Sequence, residues 1–313
     1  MALHKKLFMS AVILTTALTG FSFSAMAQSG YGQLPAYSYN PDLDPRQGYV
    51  YGKPETQPAS YAGSKPYMGL ETRSGFEVGL SIANYRYREP GINVTTEGPL
   101  YGATFEAVTK LGQDFFLSLD TKGNVGWLDY TGSGTASGEE NWILDVRGLI
   151  GKDFVFEQFS LSPYAGFGYR YLHDDARGLT STNAAGYRRS NQLYYIPIGI
   201  HPRTHIDSNA RLSATLEYDL LIQGTQKSYL SDAGFGDPDI VNLQKSGYGL
   251  RGDIMYETSW WSVGPYFNFW SINTSNQTIA SSPNSTCGGT TCVWYEPYNH
   301  TVEAGVQLKL RWK

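Results

Sequence analysis

The stretch TVEAGVQLKLRW, residues 301–312, decides the fold. Val302, Ala304, Val306, Leu308, Leu310 and Trp312 fall on every second position, with Glu303, Gly305, Gln307, Lys309 and Arg311 between them. Successive side chains of a β-strand point to opposite faces, so this segment has one apolar face and one polar, charged face. A helix would scatter the same residues around its circumference.

The same period of two recurs upstream. In 75–88, Phe76, Val78, Leu80 and Ile82 alternate with Glu77, Gly79, Ser81 and Ala83. In 210–223, Leu212, Ala214, Leu216, Tyr218, Leu220 and Ile222 alternate with Arg211, Ser213, Thr215, Glu217 and Asp219. Further candidate strands lie at 99–111, 114–130, 141–152, 160–174, 187–201, 246–257 and 260–272, which makes ten with 301–312. Most reach the length of about 9–11 residues that a tilted strand needs to cross a bilayer. The predicted connections alternate in length. Long polar loops fall at 89–98, 131–140, 175–186, 224–245 and 273–298, and short turns at 112–113, 153–159, 202–209 and 258–259. Barrels that span a membrane show this bookkeeping, with short turns on one side and long loops on the other. An open two-layer sandwich has no reason to keep it. The reading is therefore all-β: an antiparallel up-and-down transmembrane β-barrel over 73–313.

Two segments precede the barrel. Residues 1–27 read as an export signal: His4, Lys5 and Lys6 are followed by an apolar run and the small-x-small site Ala25-Met26-Ala27. Residues 28–72 hold Pro35, Pro41, Pro45, Pro54, Pro58 and Pro66 among Tyr, Gly and Ser, and no apolar period survives. They are expected to form a flexible periplasmic arm. Composition agrees with a barrel. Glycine (35) and tyrosine (24) are abundant, and tyrosine suits the boundary between lipid and water. The net charge of −4 carries no basic stripe, so nucleic acid is not an expected partner. Cys287 and Cys292 lie close together in NSTCGGTTCVW, and an exported chain meets oxidising conditions, so a local disulfide is expected. Their neighbourhood lacks the His or acidic ligands of a metal site, and neither a metal nor a cofactor is expected.

Alternation also assigns an interior. Glu77, Glu106, Asp120, Lys122, Asp145, Arg147, Arg170, Arg211, Glu217, Asp219, Arg251, Asp253, Glu303, Lys309 and Arg311 should face the lumen. Acids and bases are mixed. Diameter grows with strand number, and eight strands are just filled by side chains, so ten leave little room. A plugged or narrow lumen follows, since confined charges must pair.

These features resemble Gram-negative outer-membrane β-barrel proteins over roughly residues 75–313. The closing segment, with Leu308, Leu310 and the aromatic Trp312, is similar to the C-terminal signal such proteins present to the barrel-assembly machinery. The resemblance implies the cell outer membrane as location, with its lipid and lipopolysaccharide as surroundings. Aromatic residues near predicted strand ends (Tyr85, Tyr87, Trp127, Tyr130, Tyr169, Tyr171, Trp260, Trp261, Trp312) resemble interfacial girdles.

Ten strands also resembles the omptin proteases in size. That activity implies paired carboxylates and an Asp-His pair at the outer rim. Here His173, beside Asp174 and Asp175, and His300 lie near the predicted rim, while His201 and His205 fall in a predicted periplasmic turn. The nearest acidic pair in an outer loop is Asp237 and Asp239, and the omptin spacing is not reproduced. No nucleophile motif of a lipid A-modifying enzyme stands out. The leading expectation is a non-enzymatic structural or porin-like barrel. A receptor or adhesin acting through loops 224–245 and 273–298 is the second reading, with an unidentified extracellular ligand, and a rim hydrolase is the third.

Overall fold

The computed structural model describes residues 68–234, 236–281 and 290–312. The export signal, the arm as far as residue 67, and Cys287 lie outside the described residues.

Strands form where the dyad pattern predicts them. In chain order they are β1 (Gly75–Glu89), β2 (Val94–Leu111), β3 (Phe115–Gly132), β4 (Gly134–Lys152), β5 (Phe154–Val155), β6 (Phe159–Leu179), β7 (Ala185–His205), β8 (Arg211–Ser228), β9 (Ile240–Gln244), β10 (Gly247–Glu257), β11 (Trp261–Ile272), β12 (Thr278–Ser281), β13 (Thr291–Trp294) and β14 (Asn299–Trp312). Each long strand pairs antiparallel with its neighbours, in the order β1-β2-β3-β4-β6-β7-β8-β10-β11-β14. The β1–β14 ladder then closes the ring, with Phe76 opposite Trp312 and Arg88 opposite His300. Closure pairs the backbone polar groups that an open sheet would leave at its edges, the condition for crossing lipid.

The outward face is apolar. Phe76, Val78, Leu80 and Ile82 on β1, Leu212, Leu216, Leu220 and Ile222 on β8, and Val302, Val306, Leu308 and Leu310 on β14 are all exposed, Leu80 by 70%. A soluble protein does not keep a continuous apolar band of this extent in water, so lipid is its solvent. Pairs of ring side chains border the band at both ends. Phe76–Trp312, Phe156–Phe159 and Trp260–Trp261 lie by the periplasmic turns. Trp142–Tyr171, Tyr218–Tyr248 and Phe269–His300 lie toward the opposite rim. Three expected girdle residues are placed otherwise, and one is Tyr130, which shares a face with the inward Thr96 and Tyr87 through the β1–β2–β3 ladder. Tyr85 and Tyr87 occupy odd positions of β1 and turn inward, and Tyr85 packs with Leu100, Leu128 and Ile143.

Three predicted outer loops are shorter than expected. The β1–β2 connection is residues 90–93, β3 and β4 join at Ser133 alone, and β6 and β7 join through 180–184. The strands continue past the apolar band as polar ladders such as Thr95↔Thr131 and Thr131↔Thr135. Hydrogen bonding needs no apolar face, so hydrophobic period marks the lipid-embedded part of a strand and not its end. Loops 224–245 and 273–298 remain the longest, and they contain β9 and the β12–β13 hairpin.

Glycines let inward rings lie flat on the wall. A Cβ on Gly168 would stand 2.2 Å from the Tyr195 ring, one on Gly199 2.4 Å from that of Tyr164, and one on Gly151 2.3 Å from that of Phe116.

Candidate functional site

The lumen is the candidate site, and strand parity builds it. The fifteen charged residues assigned to it from alternation all turn inward, and most meet an opposite charge from another strand. At mid-height, Arg251 bridges Asp145 and Asp219, each at 2.8 Å. Arg147 bridges Glu217 at 2.6 Å and Asp120 at 2.9 Å. Lys122 meets Glu303 at 2.6 Å. Toward the periplasm, Lys309 pairs with Glu106, Arg311 with Glu77, and Arg211 with Glu257. Asp253 lines the periplasmic cavity, and Arg170 lies opposite Asp145 in the β4–β6 ladder.

Tyrosines complete the network. Tyr195 donates to Asp145 at 2.7 Å, Tyr164 to Glu217 at 2.8 Å, and Tyr266 to Glu303 at 2.7 Å. The first two are rings laid on Gly168 and Gly199, so the small residue brings the hydroxyl to the carboxylate. A carboxylate held by one arginine and one hydroxyl has two of its acceptor sites filled, which offsets part of its desolvation.

This network divides the interior. Below it, a cavity of about 180 Å³ is lined by Glu77, Glu106, Lys309, Arg311, Glu257 and others. Above it, a space of about 40 Å³ lies among Tyr87, Arg189, Asp174 and Glu296. The lower cavity reaches up to Lys122, Asp145 and Arg251, and a further pocket of about 10 Å³, room for about one water, lies among these residues and Trp270.

Each mouth adds residues that were not among those fifteen. On the periplasmic side, residues 68–73 cross the opening. Arg211 donates to the carbonyls of Gly69 and Glu71, and Ser160 donates to that of Leu70. Asp153 accepts from the Thr72 amide and hydroxyl. The end of the expected arm is thus fixed to the wall. Burial, together with the nearby Arg211 and Arg311 charges, lowers the Arg73 guanidinium to about 10, against the opposing pull of Glu257. On the outer side, the Tyr87 hydroxyl lies 2.5 Å from a Glu89 oxygen and 3.0 Å from a Glu296 oxygen, and Arg189 joins Glu89 to Asp174. Glu296 belongs to loop 273–298. Burial raises its carboxyl to about 7, Arg189 opposes the shift, and Glu89 adds to it. Glu257, Asp174 and Glu89 all carry the inward parity of their strands and were findable by extending the alternation. Asp153 and Thr72 lie in segments without a period and carried no signal.

The rim histidines each stand against aromatic rings. His173 stands on the outward face and stacks against Trp142, with ring centroids 5.6 Å apart. His300 also faces outward, against Phe269 and Tyr298. His201 turns inward to the lower cavity, its Nδ1 2.9 Å from the Thr215 hydroxyl. Among the described residues no group of His, Cys, Asp and Glu is arranged to hold a metal ion. Cys292 is buried; its expected partner Cys287 lies outside the described residues.

No protein-family model matches the chain, and no curated protein matches it. Solved structures similar to it include the translocator domain of the autotransporter NalP from Neisseria meningitidis, at 11% identity and a TM-score of 0.37, over 77% of this chain and 90% of that one. The Pseudomonas putida toluene transporter TodX is similar at 9% identity and a TM-score of 0.32, over 77% and 90%. Ail, the attachment invasion locus protein of Yersinia pestis, is similar at 10% identity and a TM-score of 0.28, over 76% and 99%. Likeness at this level carries no argument about activity. The closed ten-strand wall, its apolar outer band and its polar interior are this chain's own features, and they give it the fold of an outer-membrane β-barrel.

Proposed function

We propose that the protein is a non-enzymatic structural barrel of the outer membrane, with a lumen plugged by its own side chains. One observation carries this reading. The cations at mid-lumen, Lys122, Arg147 and Arg251, are each bound to carboxylates from other strands within 3.0 Å, and a pocket of about 10 Å³ lies among Lys122, Asp145, Arg251 and Glu303. An ion path needs charges free to exchange partners and a continuous column of water, and neither is favoured here. The surrounding lipid and lipopolysaccharide contact the apolar band, and Leu308, Leu310 and Trp312 on the outward face of β14 are positioned for the barrel-assembly machinery. Planar-bilayer recording tests the plug: the intact protein should give no steady conductance, and reproducible channel steps from it would defeat the reading.

A second reading, a receptor or adhesin acting through loops 224–245 and 273–298, is favoured by a separate observation. Ile279 and Val293 are directly opposite in the β12–β13 hairpin, and both are exposed, as is Tyr295. Exchanging Ile279 and Val293 for serine should abolish any cell or ligand attachment the protein supports; attachment unchanged by the pair would remove this reading.

A further inference from the structure

We infer that residues 68–73 are a strap that closes the periplasmic mouth and controls access to the lower cavity; the inference deepens the plugged-lumen reading and rests on it.

The strap is held by main chain and side chain together. Three of its successive carbonyls, at Gly69, Leu70 and Glu71, accept from wall residues Arg211 and Ser160 at 2.7–3.0 Å. The Thr72 amide and hydroxyl donate to the two oxygens of Asp153 at 2.8 and 2.7 Å, and Arg203 donates to the same hydroxyl at 3.1 Å. Arg73 reaches Glu257 at 3.2 Å and the carbonyl of Thr258 at 3.1 Å. The Met68 amide donates to the carbonyl of Ser208. These partners come from the β4–β5 junction, from β6, β7, β8 and β10, and from the turns at 206–210 and 258–260, so one short segment ties several strands of the wall together.

Two of the strap's six residues are buried. Leu70 is 3% exposed and Thr72 6%. Thr72 and Arg73 line the cavity of about 180 Å³, and so form part of its floor. The wall residues serving the strap are not idle without it. Arg211 keeps Glu257 at 2.7 Å, and Asp153 keeps Ser162 at 2.6 Å. Withdrawal of the strap therefore leaves paired groups behind and not bare charges, and the barrel can survive it. Such closure can be undone locally without global unfolding.

The test is thiol accessibility in the full-length chain. Thr215, which lines the lower cavity, is replaced by cysteine as one reporter, and Thr96, which lines the upper space, as another. Each is placed in the native chain and in a strap variant, L70D/T72V, which changes strap residues only. Modification by a small cationic methanethiosulfonate is timed, and heat-modifiable electrophoretic mobility checks that each variant is folded. The expected result is a rise of about tenfold or more at position 215, the effect of ~1.4 kcal/mol lost from closure, with position 96 unchanged. Equal rates at 215 with and without the strap substitutions would overturn the inference, as would a parallel rise at both reporters. Should L70D/T72V fail to fold, T72V alone is carried through the same comparison. Bilayer recording separates the two readings. Silence in the strap variant together with faster labelling at 215 supports both. Channels appearing with faster labelling keep the strap and defeat the mid-lumen plug.

Discussion

The two mouths of the barrel are closed by different chemistry. At the periplasmic mouth, arginines and Asp153 grip peptide groups of residues 68–73. Backbone carbonyls do not titrate, so the bonds to Gly69, Leu70 and Glu71 involve no acid that gains or loses a proton. At the outer mouth, loop 273–298 is held through Glu296, which shares Tyr87 with Glu89 beside Arg189 and Asp174. Two carboxyls converge on one phenol there, and at least one responds to pH. Similar closures can thus differ in what releases them.

The barrier between the mouths is the first place to break this comparison. Arg251→Ala leaves Asp145, Asp219 and Glu217 without their shared cation, and the loss of one partner from a buried ion pair costs about 3–5 kcal/mol. Urea-dependent loss of the heat-modifiable folded band should move to markedly lower denaturant. An unchanged transition would mean that the network does not hold the wall. Asp153→Ala comes next. It leaves Thr72, Ser162 and Arg203 short of an acceptor, a loss of about 1–3 kcal/mol. Its effect should be confined to the periplasmic mouth, with faster modification of a Thr215→Cys reporter and none at Thr96→Cys.

The outer mouth is sharpened by pH. The Glu296 carboxyl titrates at about 7 in the folded loop and near its ordinary 4.5 when released. A raised acid favours the folded loop while it is protonated. The stabilisation is present in full below about 4.5, and is lost as pH rises through about 7. Protease cleavage of loop 273–298 should therefore quicken between pH 5 and 8. Glu296→Gln should remove most of that dependence, whereas the periplasmic reporter should show none in either protein. The smallest effect is expected from His173→Ala and His300→Ala. Both side chains face outward against aromatic rings, so stability measured in detergent should change little. Peptide or lipopolysaccharide turnover that vanished with either substitution would reopen the hydrolase reading.

Much of this was legible in the chain. Strand parity assigned fifteen charges to one face, because the period of two is fixed by backbone geometry. Their partners were not legible: Arg251 and Asp145 are 106 positions apart, and only ring closure brings them together. The ends of β3 and β4 were missed because residues 131–140 form a ladder with no apolar face to read. The strap was missed for a related reason. Leu70 and Thr72 are fixed by hydrogen bonds to the ring, and a flexible segment of the same composition would look identical.

The rings laid on glycine carry a consequence for assembly. If β6 slipped one position against β7, Tyr195 would meet a neighbour of Gly168, either Phe167 or Tyr169, each with a bulky side chain and the opposite facing. The misaligned pair would be penalised twice, by steric conflict and by the stranded hydroxyl that should have reached Asp145. Each glycine slot thus works as a key cut for one tooth, rejecting wrong alignments before the cylinder can shut.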